Sequence, residues 1–182
     1  MIPFLTTEFH DHVPIYRVVR RGWANPLDSS FSQHPGVDNR WNLPEFPALY
    51  CCCSETVARA IVTDIYQFTG LQVEDLQESY LPQLVEIDWS GHLVDLTSED
   101  ALAAANLPRD YPHRVEHRQT RVLALSWHSQ GAHGVLSRSA SMARLGQRDW
   151  STDHRWWCEI AIYPHNAPVA VLRRRRNDLD WI

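Results

Sequence analysis

Short apolar runs separated by polar turns are the main pattern along the chain. Residues 15–19 (IYRVV) alternate between apolar and polar as a half-buried strand does, and residues 48–52 (ALYCC) form the continuous apolar run of a buried strand. Two later runs, LVEIDWSG and HLVDL, predict a pair of strands that turn near Ser90 and Gly91. The runs GVLS, WWCEIAIY and VAVLRRR predict the remaining strands.

Three segments between these strands have the end signals of helices. Ser54 is a good N-cap and Gly70 a good C-cap, so a helix is predicted between them. Thr97 with Asp100 resembles a capping box that opens a short Ala-rich helix. A longer helix is predicted over about residues 115–128, ahead of a glycine.

Length and composition are those of one globular domain. The chain has 182 residues, of which 44% are hydrophobic and 21% charged, enough to bury a core. Because strands and helices follow one another without a repeat or a linker, we expect a single α+β domain over residues 1–182, built on a mixed sheet. The net charge of −5 argues against a general polyanion binder. We see no secretory pattern and no run long enough for a bilayer, so we expect a cytoplasmic protein, with export by a dedicated machine left open.

Three adjacent cysteines, Cys51 to Cys53, suggest a metal or redox site. Successive strand residues point to opposite faces, however, so the three thiols cannot converge on one ion. Structural zinc sites also space their ligands two to four residues apart. We therefore predict that these cysteines pack in the core, and with four cysteines in the whole chain we expect no disulfide framework.

Two other motifs have a functional and an ordinary interpretation. His113, Glu116 and His117 fit the H-x-x-E-H pattern of one metalloprotease class, and on a helix the two histidines would share a face. A zinc hydrolase is therefore kept as a remote alternative. The run Arg173–Arg176 could contact nucleic acid, but acidic residues follow it and no aromatic platform accompanies it, so a solvated strand end is expected.

Several short motifs follow one another in a fixed order along the chain. They are Tyr16-Arg17, DNRWN at 38–42, Leu49-Tyr50, the SET cluster that opens the first helix, LVEIDWSGHLVDLT, and GAHGVLSRSA. In this order they resemble the RES-domain family, the toxin half of bacterial toxin–antitoxin pairs. The resemblance is strongest over residues 15–140, and it assigns Ser137 as the family serine. Asp38 and Asn39 depart from the family pattern, which has glycines there.

The resemblance implies an enzyme that consumes NAD, either a glycohydrolase or a phosphorylase, with a fold similar to ADP-ribosyltransferase toxins. NAD would be the substrate, with no bound cofactor and no metal. The implied partner is a cognate antitoxin or immunity protein, and the chain would contact nucleic acid only indirectly, through an antitoxin. The resemblance implies no contact with a membrane. Two alternatives remain: a non-catalytic module that binds NAD or a partner, and an ADP-ribosyltransferase that acts on a protein.

The residue types named by the resemblance suit the chemistry of NAD. A guanidinium binds a pyrophosphate through two hydrogen bonds, which suits Arg17, with Arg40 as the second candidate. Tyr50 could stack on the nicotinamide or hydrogen-bond to the ribose, and Trp41, in the long polar loop, could stack on a flat ligand ring. Ser137 could donate to a phosphate or to the carboxamide. Cleavage of the glycosidic bond develops positive charge on the ribose, so a carboxylate is also needed.

The family glutamate is missing from the helix on which it is expected. Ala60 occupies its aligned position, and residues 56–73 contain no glutamate. Asp64, one turn later at the apolar stripe, is the best substitute, with an ion pair to an arginine as its ordinary role. Loss of a charge-stabilising group lowers a rate roughly a hundredfold to ten thousandfold. Three explanations are open: the natural protein lacks the glutamate and is catalytically impaired, the chain carries a deliberate Glu-to-Ala replacement, or another carboxylate takes the role. We expect slow nicotinamide release, which Ala60→Glu should accelerate.

Overall fold

The computed structural model describes residues 6–9, 13–34, 36–37, 39–113, 115–146, 154–168 and 170–182. Within them, eight strands form one sheet and four α-helices flank it. The strands are β1 (Thr6–Phe9), β2 (Ile15–Arg20), β3 (Leu49–Cys52), β4 (Pro82–Asp88), β5 (Gly91–Leu96), β6 (Gly134–Arg138), β7 (Cys158–Ile162) and β8 (Val171–Arg176). The helices are α1 (Glu55–Thr69), α2 (Glu99–Ala104), α3 (His117–Ser129) and α4 (Ala140–Arg144).

The sheet is mixed, as the sequence predicts. Its strand order is β1-β5-β6-β7-β3-β2-β4-β8. β5 and β6 run parallel, and the other neighbouring pairs run antiparallel. The α+β class is therefore confirmed.

The predicted pairing of β4 with β5 is wrong. β4 pairs with β2 and β8, whereas β5 pairs with β1 and β6. Only Trp89 and Ser90 connect the two strands, which spans at most about 11 Å. Five strand intervals separate them in the sheet order, about 24 Å if the sheet were flat. The sheet must therefore curl strongly, so that the end of β4 lies beside the start of β5.

The alternation of side chains divides the sheet into two faces. One face, which we call the loop face, buries an apolar cluster that includes Ile15, Cys51 and Ile160 and is covered by loops. The other, the helix face, carries two clusters in which all four helices bury apolar side chains. One of these clusters centres on Trp127 of α3, and the other includes Val57 of α1.

Helix α1 begins and ends where its capping residues predict. The Ser54 hydroxyl accepts a hydrogen bond from the Val57 N–H at 3.2 Å. Gly70 follows the last turn in the left-handed conformation, with φ of 70°. The first half of the helix is buried and its last turn is solvated, since Phe68 is 91% exposed.

The other helices differ from prediction at their starts. Ser98, not Thr97, caps α2 by accepting from the Ala101 N–H at 3.1 Å, while the Thr97 hydroxyl donates to Asp95 at 2.6 Å. Helix α3 begins at His117, two residues later than predicted. Neither β1 nor α4 was predicted, because each is only four or five residues long and has little periodic signal.

The four cysteines are free and buried, which confirms their predicted role in core packing. Cys51 lies on the loop face and Cys52 on the helix face, as strand alternation requires. Burial raises the pKa of Cys51 to about 12, although the nearby Arg17 opposes this shift. The thiol is therefore protonated at neutral pH and is a poor nucleophile or metal ligand.

The arginine run forms the edge strand β8. Carboxylates on neighbouring elements pair with three of its members, which leaves less positive charge free for nucleic acid. Charged side chains on an edge strand also discourage pairing with another chain. The ion pairs join Arg173 to Asp88, Arg174 to Glu86, and Arg176 to Glu55 and Asp178. In the described part of the chain, no helix is both long and apolar enough to cross a membrane.

Candidate active site

A recess of about 160 Å³ opens on the helix face, where the loop before β3 meets β3, β7 and the start of α3. This volume is below the range of roughly 300–1,000 Å³ for pockets that enclose a whole ligand. It suits one ring-sized part of a larger molecule. Its lining residues are Asn39, Arg40, Trp41, Tyr50, His117 and Glu159.

A larger groove of about 530 Å³ lies between the end of α2 and the exposed side of α3. Half of its lining residues are alanine, valine or leucine and the other half are polar or charged, and it contains none of the residues predicted to bind NAD. We therefore place the candidate site in the smaller recess, where aromatic, cationic and anionic side chains converge.

Strand register brings three distant segments to the recess. Glu159 of β7 pairs with Cys52 of β3 on one side and with Ser137 of β6 on the other. Tyr50 pairs with Ala161, which lies two residues after Glu159 in β7 and therefore on the same face of the sheet. Tyr50, Ser137 and Glu159 therefore share the helix face, at the boundary between its two apolar clusters.

Tyr50 holds the loop that carries the recess residues. Its hydroxyl accepts a hydrogen bond from the Trp41 backbone N–H at 3.0 Å and donates to Asn42 Oδ1 at 2.9 Å. The Asn42 amide donates in turn to the Ser32 carbonyl at 2.8 Å. Burial raises the pKa of Tyr50, so it remains a neutral phenol. Asp38, which begins the DNRWN motif, lies outside the described residues.

Trp41 is a buried wall of the recess. It is 3% exposed, and its ring centroid lies 6.1 Å from those of both Tyr111 and Trp127. Its indole N–H donates to the Ser137 hydroxyl at 3.2 Å. Ser137 is 1% exposed and lies behind Trp41, so it supports the wall and does not line the recess.

Arg40 supplies positive charge at the recess. Its Nε–H donates to His117 Nε2 at 3.4 Å, a long contact that requires a lone pair on that nitrogen. Its charge also contributes to lowering the pKa of Asp64. His117 is the first residue of α3, where the helix dipole is positive. This side of the recess therefore favours an anionic group.

Glu159 is the site residue that the sequence reasoning missed. The Ser139 hydroxyl donates to its Oε1 at 2.5 Å, and Ser139 also caps α4 by accepting from the Met142 N–H at 3.3 Å. No role was assigned from the sequence to the segment after about Ser141, in which Glu159 lies. A signal was present, because a lone glutamate alternates with apolar residues in the buried strand CEIAI, where an unpaired charge is costly.

Arg17 lies on the opposite face of the sheet. It pairs with Val85 and shares the loop face with Cys51. Its Nη2 donates to the Asp28 carbonyl at 3.0 Å, and its guanidinium lies 5.7 Å from the Trp23 ring centroid. The structure therefore does not bring Arg17 together with Tyr50 and Arg40, because strand alternation turns its side chain away.

Ala60 points into the apolar cluster beneath α1. It is 5% exposed and belongs to the cluster that contains Leu84, Met142 and Trp181. It does not line the recess.

Asp64 has the ordinary role that the sequence left open, an ion pair with an arginine. Its carboxylate accepts from Arg144 Nε at 2.8 and 2.9 Å and from the Ser141 hydroxyl at 3.0 Å. Burial alone would raise the pKa of Asp64, but these hydrogen bonds outweigh burial and the pKa lies below its usual value. The contacts join α1 to α4.

Asp64→Asn is expected to lower the free energy of unfolding by about 1 kcal/mol at pH 7, because one partner, Arg144, is partly solvated. The folded-state pKa of Asp64 is depressed, so its contribution is present above the ordinary carboxyl pKa and is lost as pH falls through the folded-state value. Urea unfolding at several pH values should show the two proteins converging below about pH 4. An equal gap at all pH values would contradict this assignment.

The zinc-hydrolase alternative rested on His113 and His117 sharing a helix face. That premise is wrong, because α3 begins at His117 and His113 lies in the preceding turn. Glu116 is the N-cap of α3 and makes no capping bond with its side chain. Over the described ranges, no three His, Cys, Asp or Glu side chains are grouped closely enough to hold a metal ion.

Comparison with known proteins identifies the family. The family model for the RES domain matches residues 14–181. The chain belongs to the RES-domain family. The match extends well past the predicted 15–140 and takes in the strand of this RES domain that carries Glu159. A comparison with curated proteins gave no significant match.

A solved structure confirms the fold of this RES domain. It is described as the crystal structure of the M. tuberculosis MbcT–MbcA toxin–antitoxin complex. The similarity has a TM-score of 0.73 at 20% sequence identity, and it covers 94% of this chain and 85% of that one. At this identity the comparison establishes the α+β fold and no more.

Proposed function

We propose that this RES-domain chain consumes NAD by cleaving its nicotinamide–ribose bond and acts as a toxin or effector. One observation carries the proposal: Arg40, Trp41 and Tyr50, which the family resemblance selected as ligand-binding residues, line one recess, and a carboxylate, Glu159, lines it with them. Ser137 supports that recess through Trp41. The cation, aromatic rings and carboxylate are the groups that NAD cleavage requires.

The pyrophosphate and the nicotinamide end of NAD each have a matching group at the recess. Arg40 and the positive end of α3 attract the anionic pyrophosphate. The partly exposed Tyr50 offers apolar ring surface to the nicotinamide end, and the buried Trp41 forms part of the wall. Because the recess holds only one ring-sized group, the adenosine part of NAD would lie outside it.

The acceptor of the ADP-ribosyl group is water in a glycohydrolase and inorganic phosphate in a phosphorylase. A protein side chain is the acceptor in an ADP-ribosyltransferase, and a non-catalytic module would bind NAD without cleaving it. The openness of the recess to solvent is compatible with a small acceptor, and we propose water or phosphate. Analysis of the products distinguishes all four cases.

We also propose that a cognate antitoxin neutralises the chain and provides any contact with nucleic acid. Support comes from the family and from the similar fold found in a toxin–antitoxin complex. Induction of the chain in a bacterial host is expected to lower cellular NAD and viability, and co-expression of the antitoxin should restore both. Growth and NAD content unchanged by induction would contradict the toxin role.

The enzymatic test is nicotinamide release from NAD by the purified chain, with and without inorganic phosphate. ADP-ribose as the other product indicates hydrolysis, and ADP-ribose 1″-phosphate indicates phosphorolysis. Arg40→Gln is expected to lower kcat/KM about 10- to 100-fold, the effect of losing a charged hydrogen bond. Arg118→Gln is the matched control, since Arg118 is exposed on the same helix as His117.

The outcomes of this test separate the alternatives. NAD binding without release of nicotinamide would indicate the non-catalytic module. Absence of both binding and release would refute the proposal. Equal losses in Arg40→Gln and Arg118→Gln would show that the recess is not where the pyrophosphate binds.

A further inference from the structure

The recess contains a carboxylate although helix α1 does not provide one. Among the residues that line it, Glu159 of β7 is the acidic one. It lies across the strands from Ser137 and Cys52, and its negative charge raises the pKa of Tyr50 in part. The recess therefore places a carboxylate near a neutral phenol, with a guanidinium on the same wall.

Two positions on α1, Asp64 and Ala60, were also considered for the catalytic carboxylate, and each has a different environment. Asp64 accepts hydrogen bonds from both Arg144 and Ser141, so its charge is neutralised by an ion pair. Ala60 carries no charge and faces apolar side chains. The Ser139 hydroxyl donates to one oxygen of Glu159 at 2.5 Å, and the charge of Glu159 also contributes to raising the pKa of Arg144, whose hydrogen bonds go to Asp64.

We propose that Glu159 is the catalytic carboxylate, which stabilises the positive charge on the ribose as the nicotinamide leaves. This inference rests on the proposed cleavage of NAD. It assigns to a strand residue the role for which Ala60 and Asp64 were considered. Ser139 orients the carboxylate, because its own position is fixed as the N-cap of α4.

The reaction needs no reagent other than NAD and the acceptor, which is water or inorganic phosphate. The bond from ribose C1′ to the nicotinamide nitrogen breaks, and its electron pair stays on nicotinamide, which becomes neutral. The positive charge moves to C1′ and the ring oxygen, where Glu159 stabilises it. An oxygen of water or inorganic phosphate then forms a bond to C1′, and in hydrolysis the proton of the water passes to solvent.

The test compares three variants in nicotinamide release. Glu159→Gln keeps the size of the side chain and an oxygen that accepts from Ser139, but it removes the charge. We expect kcat to fall roughly a hundredfold to a thousandfold, with a smaller loss of NAD⁺ affinity. Glu86→Gln is the matched control, because Glu86 is a largely buried strand glutamate paired with Arg174 outside the recess. Asp64→Asn tests the competing carboxylate.

A second readout does not depend on turnover. A carboxylate beside the nicotinamide end should make the wild type bind NAD⁺, whose nicotinamide ring is cationic, more tightly than NADH, whose ring is neutral. In Glu159→Gln, the logarithm of the ratio between the dissociation constants of NADH and NAD⁺ should fall by at least half. In Glu86→Gln it should stay at the wild-type value. Calorimetric titration at low temperature measures both affinities, and thermal melts verify that each variant is folded.

These outcomes distinguish failure of the inference from failure of the proposed function. If the wild type cleaves NAD and Glu159→Gln stays within threefold of it, or if Asp64→Asn alone abolishes release, the assignment of Glu159 is overturned and NAD cleavage stands. If the wild type does not cleave NAD, yet its preference for NAD⁺ disappears in Glu159→Gln, the proposed cleavage is refuted and the placement of the Glu159 charge beside the nicotinamide end stands. If the wild type neither cleaves NAD nor prefers NAD⁺, both are refuted.

Discussion

Ala60→Glu is expected to lower the free energy of unfolding by about 2–4 kcal/mol and not to accelerate nicotinamide release. The Ala60 side chain is 5% exposed in a cluster with Leu84, Met142 and Trp181. A glutamate there must bury a carboxylate among apolar side chains or push α1 away from the sheet. For a chain of this length the melting temperature should fall by about 5–15 °C.

Thr56→Glu is the matched control, because Thr56 is exposed in the first turn of the same helix, where a negative charge is favourable. Its melting temperature should stay near that of the wild type. Calorimetric melts and a nicotinamide assay on the same preparations check both statements. An Ala60→Glu variant that melts like the wild type and releases nicotinamide faster would support the alignment of Ala60 with the family glutamate and contradict the structure-based expectation.

Gly134→Ala is expected to cost about 3 kcal/mol or to prevent folding. A Cβ atom at this position would lie 2.2 Å from the Ala161 carbonyl oxygen and 2.9 Å from Leu93 Cδ2. The first of these atoms is backbone, so β6 and β7 must separate to admit the methyl group. Urea unfolding measures the loss of stability. Separation of these strands would also move Glu159, so nicotinamide release should fall further than the folded fraction does.

Gly22→Ala serves as the comparison, since a Cβ there would lie 3.1 Å from the Ser79 carbonyl oxygen and needs only a small shift. Its expected cost is about 1 kcal/mol or less. Equal stability of the wild type and Gly134→Ala would show that the spacing between β6 and β7 is wider than the structure describes.

The elements that the sequence predicted well are those with strong local signals. Helix α1 has both of its caps at the predicted residues, Ser54 and Gly70, because capping depends on hydrogen bonds within a few residues. The buried strand β3 follows from its unbroken apolar run. The pairing of β4 with β5 was predicted wrongly, since adjacency in sequence favours a hairpin but the curl of the whole sheet decides the partner.

The candidate site was predicted in part. Arg40, Trp41 and Tyr50 do meet at one recess, and the contact of Trp41 with Ser137 joins residues 96 positions apart. Arg17 lies on the opposite face, although the alternation of β2 did not by itself say which face would carry the recess. Glu159 was missed because its importance depends on β7 lying between β3 and β6, which is not a local property.

By itself, the sequence determined the class of the fold, the ends of its best-capped helix, the burial of its cysteines and the family resemblance. All of these follow from periodicity, capping and motif order, which act over short stretches of chain. Only the tertiary structure decided that Asp64 belongs to an ion pair and that Ala60 faces the core. It also decided that Glu159 reaches the recess, because the neighbours of a charged side chain depend on which strands and helices pack together.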